Sequence, residues 1–417
     1  MPAPSDLVHE TSTTTGTGNF TLSNANGKRS FNTAFGNGAP TDVFDYFISN
    51  RDAAEWERGT GHLSAASTLV RDTVHSSSNS DAAVNFSAGT KDVTNDLPAL
   101  SQHWGTGLTP GGRLTLTTAT PVLVSDVTAA ATIYYAFHVH DKLIVFDGKI
   151  WRVVPFTELS LALDSDSGHT GYHQSGKLFD LFYSYVAGTL YFGSGAAWTN
   201  DTTRADALGR KNGIWTNNAS MTLRHGSASG NTVTVPANQG THLGTFYASA
   251  NGQTEMTFRP TPAAGGTNNK LLLWNRYNRV NTAATCREST NSWTCNAGTM
   301  RALNSSNSNR ISFVRGSDDD AADVFSFGFN SQTAADYGWQ GIGLDSTTAG
   351  WDGGLRHPAI TNAVANNGTY SSAKGWPGLG FHYFQQLEFS AVNNLTFYGD
   401  NGDAPRQQTG IQMSMMM

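Results

Sequence analysis

Charge is scarce in this sequence. Asp, Glu, Lys and Arg make up 14% of its 417 residues, about half of the ~25% usual in soluble domains. The balance is 26 basic against 32 acidic side chains, a net charge of -6. That argues against a nucleic-acid partner held by bulk attraction, because such proteins concentrate Lys and Arg. Long apolar runs are missing as well. The longest are clusters such as Leu271 to Trp274, far short of the ~18 residues of a membrane span. Residues Met1 to Thr15 carry neither the basic stretch nor the apolar stretch of a secretory signal. The expectation is a protein made in a cytoplasm, without membrane insertion and without the standard export route.

Cysteine is nearly absent. Cys286 and Cys295 bracket eight residues and have no neighbouring His or second Cys pair, so they cannot assemble a four-ligand zinc site. They either close a small disulfide loop in a non-reducing compartment or remain two thiols; spacing alone does not set the geometry. Catalytic signatures are missing too: no Walker loop, no Gly-x-Ser-x-Gly elbow, no His-Glu-x-x-His helix. No cofactor, no metal and no enzymatic activity are expected.

What replaces charge is Thr, Ser, Asn and Gly. Hydrophobic residues are 38%, and the 44 glycines bring the apolar share to about half, enough for a core. Helical periodicity is rare. Thr41 to Arg58 has Phe44, Phe47 and Ile48 at helix-like spacing, but Asp45-Tyr46-Phe47-Ile48 and Glu55-Trp56-Glu57-Arg58-Gly59 suit two strands and a turn, the reading favoured here. Elsewhere short alternating or apolar runs are cut by Gly, Asn, Asp and Ser, as in Ile133 to Val139 and in Leu143 to Phe146 followed by Asp147-Gly148 and Ile150 to Val154. No fixed-period repeat is found. The fold expected is mainly β: several β-sandwich or β-barrel-like domains in series. Texture divides the chain into 1–103, a linker 104–112, a central block 113–280 and a distal block 281–417.

Certain phrases are distinctive. The opening Val8-His9-Glu10-Thr11-Ser12-Thr13-Thr14-Thr15-Gly16-Thr17-Gly18, then Glu55-Trp56-Glu57-Arg58-Gly59-Thr60-Gly61 and Val84-Asn85-Phe86-Ser87-Ala88-Gly89-Thr90-Lys91, resembles a module at the start of tailed-bacteriophage virion proteins. A second such module is similar to the stretch carrying Phe156-Thr157-Glu158-Leu159-Ser160-Leu161, Ala197-Trp198-Thr199-Asn200-Asp201 and Leu273-Trp274-Asn275-Arg276-Tyr277-Asn278-Arg279-Val280. Leu379-Gly380-Phe381-His382-Tyr383-Phe384-Gln385-Gln386 is similar to C-terminal blocks of the same proteins. The resemblance implies a fibre, spike or related receptor-binding appendage, usually a homotrimer, located in the virion after synthesis in the bacterial cytoplasm. The N-terminal block would dock to other virion proteins and the distal block would contact a host-surface receptor, a polysaccharide by expectation. Two alternatives remain open: a head decoration or neck protein with a purely structural role, and a polysaccharide-depolymerising tailspike. The resemblance carries over no catalytic residue. Met413, Met415, Met416 and Met417 would be awkward in water, and suit packing at a trimer axis or on a partner.

Among residues bearing chemistry, His138 and His140 flank Val139 on an expected strand, which would place both imidazoles on one face. Asp164-Ser165-Asp166-Ser167-Gly168 resembles half of a calcium loop but lacks its closing Glu, and reads as a turn. Asp318, Asp319, Asp320 and Asp323 form an acidic cluster, read as a charged loop. The aromatic residues of the last third lie among Gly, Asn and Asp: Trp339, Trp351 with Asp352, Trp376, and His382 with Tyr383. Sugar rings stack on exposed aromatics while Asp and Asn take hydroxyls, so these six residues are the candidate receptor or glycan contacts.

Overall fold

The computed structural model describes residues 7–24, 27–37, 43–95, 109–148, 151–295, 298–332, 336–351, 355–357, 359–361, 365–391, 395–403, 406 and 409–417. Its described residues are almost entirely β. The described residues form two compact units, one containing residues up to Asn95 together with Trp151–Val153, the other running from 109 onward. Most of the expected linker, 104–108, lies outside the described residues, and Gly112 already opens a strand, Gly112–Thr115.

The first unit is a seven-stranded antiparallel sheet. Its order is Phe20–Thr21, Thr68–Ser77, Trp56–Ala65, Phe44–Asn50, Lys91–Thr94, His9–Ser12, Ser23–Asn24. The two edge strands are separated in the chain by Leu22 alone, so the sheet curls into a nearly closed barrel, which leaves little bare edge. Phe44–Asn50 and Trp56–Ala65 are strands, as expected for this stretch: Phe44, Tyr46 and Ile48 alternate inward and join Phe20, Phe31, Leu63, Leu69 and Phe86 in the interior. Gly59 and Gly61 lie where a side chain would collide with Thr73 and Val70 carbonyls and with the Tyr46 ring. A carboxylate is fully buried here. The Glu57 carboxylate accepts from Tyr46 Oη at 2.7 Å, Arg71 Nη1 at 2.8 Å and the Val84 amide at 2.7 Å.

The second unit runs across the expected boundary at 280/281. An eight-stranded sheet runs Ala359–Thr361, Asp336–Leu344, Gly380–Ser390, Arg310–Arg315, Asn269–Leu271, Thr254–Met256, Val127–Ala130, with Arg301–Ala302 paired to Gly380–Ser390 off this path. Its members come from both 113–280 and 281–417, and one hydrophobic core extends from Leu114 to Met417. Composition changes at Asn281, but the hydrogen bonding does not. Another eight-stranded sheet is centred on Leu178–Val186 and Gly240–Tyr247. A further sheet places Asn281–Arg287, Gly410–Met416, Ala322–Gln332 and Ala365–Gly375 side by side.

That last sheet places the methionines and both cysteines. Gly410–Met416 pairs along its length with Asn281–Arg287 and with Ala322–Gln332, so Met413, Met415 and Met417 are buried in the chain's own core while Met416 is exposed. The methionines fill an intramolecular core because alternate residues of a central strand must face it. Cys286 and Cys295 are buried thiols and form no disulfide. Cys286 sits in the large core, whereas Cys295 packs with Leu395 and Phe397 in a small separate cluster. Different strands aim them into different interiors.

Candidate functional site

The strand Ala322–Gln332 alternates without a break over Asp323 to Gly328. Val324, Ser326 and Gly328 point inward, and Asp323, Phe325 and Phe327 point out. Large apolar groups on a strand normally take the inner face. Here the inner positions must be small, because Gln340 and Gln386 of the facing sheet occupy that space. Ser326 Oγ donates to Gln340 Oε1 at 3.3 Å, Gln386 Nε2 donates to the Phe327 carbonyl at 3.1 Å, and a Cβ on Gly328 would collide with the Gln340 amide.

The outer face is ordered by register. Phe325 lies opposite Gln412 on one side and Ser372 on the other, and Phe327 lies opposite Gly410 and Tyr370. Phe325, Phe327 and Tyr370 are 37%, 40% and 46% exposed, with the Phe325 and Tyr370 rings 6.1 Å apart and inclined by 24°. Beside them, Lys374 Nζ pairs with Asp323 Oδ2 at 3.1 Å. A shallow depression of about 550 Å³, lined by Ala283, Thr285, Phe325, Ser372, Gln412 and Ser414, opens on the same face. The arrangement offers ring faces for apolar stacking, surrounded by short hydroxyl, amide and carboxylate groups.

The residues expected from sequence are not brought together. Trp339 is half-buried, stacked on Phe389 at 4.1 Å, with Tyr337 at 5.9 Å. Trp351 packs on Phe384 at 5.2 Å and fills the space beside Gly375, so it serves the core. Trp376 stands 67% exposed. Asp352 lies outside the described residues. His382 is buried with its Nδ1 2.7 Å from Asp345 Oδ2. Tyr383, next in the strand, faces the other way beneath the Arg310 guanidinium, 4.8 Å from the ring centroid. Sequence reasoning missed Phe325, Phe327 and Tyr370. The available signal was the spacing Phe325-Ser326-Phe327-Gly328-Phe329, large on one face and small on the other.

Other chemistry-bearing groups are committed to structure. Asp180 is buried and accepts from Arg204 Nε at 2.7 Å, His242 Nε2 at 3.0 Å, Thr245 Oγ1 at 2.6 Å and Trp198 Nε1 at 3.1 Å. Burial alone would raise its carboxyl, but Arg204 and His242 hold it below the usual carboxylate range. His173 and Ser194 lie 2.9 Å apart, like a base and a nucleophile. The Asp164 amide donates to His173 Nδ1 at 2.7 Å, however, so Nε2 carries the proton and donates to Ser194, the reverse of what a general base needs.

Two members of the acidic cluster meet arginines: Arg279 pairs with Asp320, and Arg276 lies 3.8 Å from Asp319. Asp164 is buried against Arg224 Nη1 at 2.9 Å and accepts from the Asp166 amide at 3.0 Å, a turn anchored from inside. The strand expected to carry His138 and His140 ends at Phe137, and the amides of residues 138 to 140 converge on the Gly111 carbonyl. Among the described residues, no three His, Cys, Asp or Glu side chains cluster as a metal site.

No protein-family model matches this chain, and no curated protein does. Among solved structures, the insecticidal delta-endotoxin Cry8Ea1 of Bacillus thuringiensis is similar over 74% of this chain, with 7% identity and a TM-score of 0.17. The chain spans about half of that toxin's length, 52%. A likeness at that score carries no argument about fold or activity.

Proposed function

We propose that this chain is a non-enzymatic adhesin of a tailed-phage virion, a homotrimer that holds a host-surface polysaccharide on the face of Phe325, Phe327 and Tyr370. The observation that carries the reading is that row of exposed rings in strand register, ringed by Ser372, Gln412, Ser414 and Asp323. The pyranose C–H face stacks on such rings, and the short polar groups take its hydroxyls. The virion assignment rests on the sequence resemblance, with the first unit as the docking block to other virion proteins. Three copies on one appendage multiply weak contacts into useful avidity.

The test is co-sedimentation of purified protein with host-surface polysaccharide, for the wild type and for Phe327→Ala and Tyr370→Ala. Binding is expected to fall at least about tenfold in each variant, with no new reducing ends released and with the trimer mass unchanged by light scattering. A variant that loses trimer mass together with binding would reassign the face to subunit contact. Released reducing ends would favour the depolymerase.

A further inference from the structure

We infer a second recognition site, in a recess on a different sheet, that takes the carboxylate of an acidic sugar. The recess has a volume of about 130 Å³ and is lined by Tyr247, Asn268, Lys270, Arg310, Ser312 and Phe381, among others. That is room for roughly four waters, enough for a carboxylate and the ring edge that carries it.

Each wall has its own role. The Tyr247 and Phe381 rings lie parallel, 4.1 Å apart and inclined by 14°, a rigid apolar side. Beside them the register aligns Lys270, Ser312 and Tyr383 across three strands. Ser312 Oγ donates to Asn268 Oδ1 at 3.1 Å, which leaves the hydroxyl oxygen and the Asn268 amide nitrogen to address a ligand.

The charges decide the ligand class. Lys270 Nζ is already paired with Glu255 Oε1 at 2.8 Å. Arg310 has no carboxylate partner among the described residues, and its buried Nε makes no hydrogen bond. Its guanidinium is held over Tyr383, so the donor fork is fixed before any ligand arrives. A planar fork with unused donors matches a carboxylate in two parallel bonds. The adjoining aromatic wall and amide favour a carboxylate attached to a sugar ring over a bare anion.

The site stands on these residues and not on the Phe325–Tyr370 face, so the two are tested separately. The experiment is calorimetric titration of the purified full chain with trigalacturonate, with maltotriose as the neutral probe and with acetate and inorganic phosphate as bare anions. Trigalacturonate should bind measurably, and each of the other three should bind at least about tenfold more weakly. Arg310→Gln should weaken trigalacturonate binding about tenfold to a hundredfold, the range of a charge-assisted hydrogen bond. Arg310→Lys, which keeps the charge but loses the fork, should also weaken it. The inference is overturned if trigalacturonate fails to bind, if maltotriose, acetate or phosphate binds as well, or if a folded Arg310 variant retains wild-type affinity.

Discussion

Arg113 donates from Nη1 to the main-chain oxygen of Met417 at 2.7 Å, across 304 positions of sequence. The same nitrogen reaches the Asn278 carbonyl at 2.8 Å, and Met417 and Val280 exchange both main-chain hydrogen bonds. One buried guanidinium thus ties the start of the second unit to both strands that close its core. Replacing it removes the side-chain donor from the Asn278 carbonyl and leaves the Met417 oxygen only the Val280 amide. Arg113→Met is expected to lower stability by about 2–4 kcal/mol, read as a shift of the urea midpoint with an unchanged slope. A loss under 0.5 kcal/mol would mean the tie is ornamental.

The aromatic face should separate binding from folding. Phe327 and Tyr370 are 40% and 46% exposed, so Phe327→Ala and Tyr370→Ala should change stability by no more than about 1 kcal/mol. Thermal melts beside the polysaccharide assay check this. A large melting shift would identify the rings as structural.

Acid should weaken the second unit through two histidines. Burial, helped by Arg224, pushes His173 down to about 4. Burial does the same to His242, to about 4, against the pull of Asp180 and with Arg276 and Arg204 adding to it. Between pH 6.5 and 4 the unfolded chain binds protons that the folded chain excludes. Their contribution is therefore complete above about pH 6.5 and is lost as pH falls toward 4, by up to about 3 kcal/mol each. Urea midpoints at pH 7 and pH 4.5 should differ, and His173→Gln should shrink the difference. An unchanged difference would place the acid sensitivity elsewhere.

The thiols should be silent until the chain unfolds. Cys286 and Cys295 are buried, and burial pushes the Cys286 thiol up to about 11. A disulfide reagent that reports thiolates should therefore count no thiol in the native protein and two in urea, and a reductant should leave the melting temperature unchanged. Two missing thiols in urea would reveal a bond.

Much of the architecture was legible from residue order. Strands at Phe44–Asn50 and Trp56–Ala65 followed from alternation and turn residues, because the pattern of a half-buried strand is local. The unity of 113–280 with 281–417 was not legible, because pairings such as Asn269 with Ile311 are set by which edges meet in space. The candidate face was hidden for a related reason. Sequence marks tryptophans as surface anchors, yet Trp351 fills core space, and the outward turn of Phe325 and Phe327 depends on Gln340 and Gln386 filling the interior from another sheet. The fate of the acidic cluster depended likewise on Arg276 and Arg279, some forty positions upstream.

Because Gly410–Met416 lies between two older neighbours rather than at a margin, synthesis order and assembly order conflict. A ribosome delivers Asn281–Arg287 and Ala322–Gln332 long before the segment that joins them, leaving both with bare main-chain donors and acceptors. Closure waits for a pairing as distant as Asn281 with Met416, a slow step by topology. During that interval the nascent polypeptide is at its most adhesive toward its own kind.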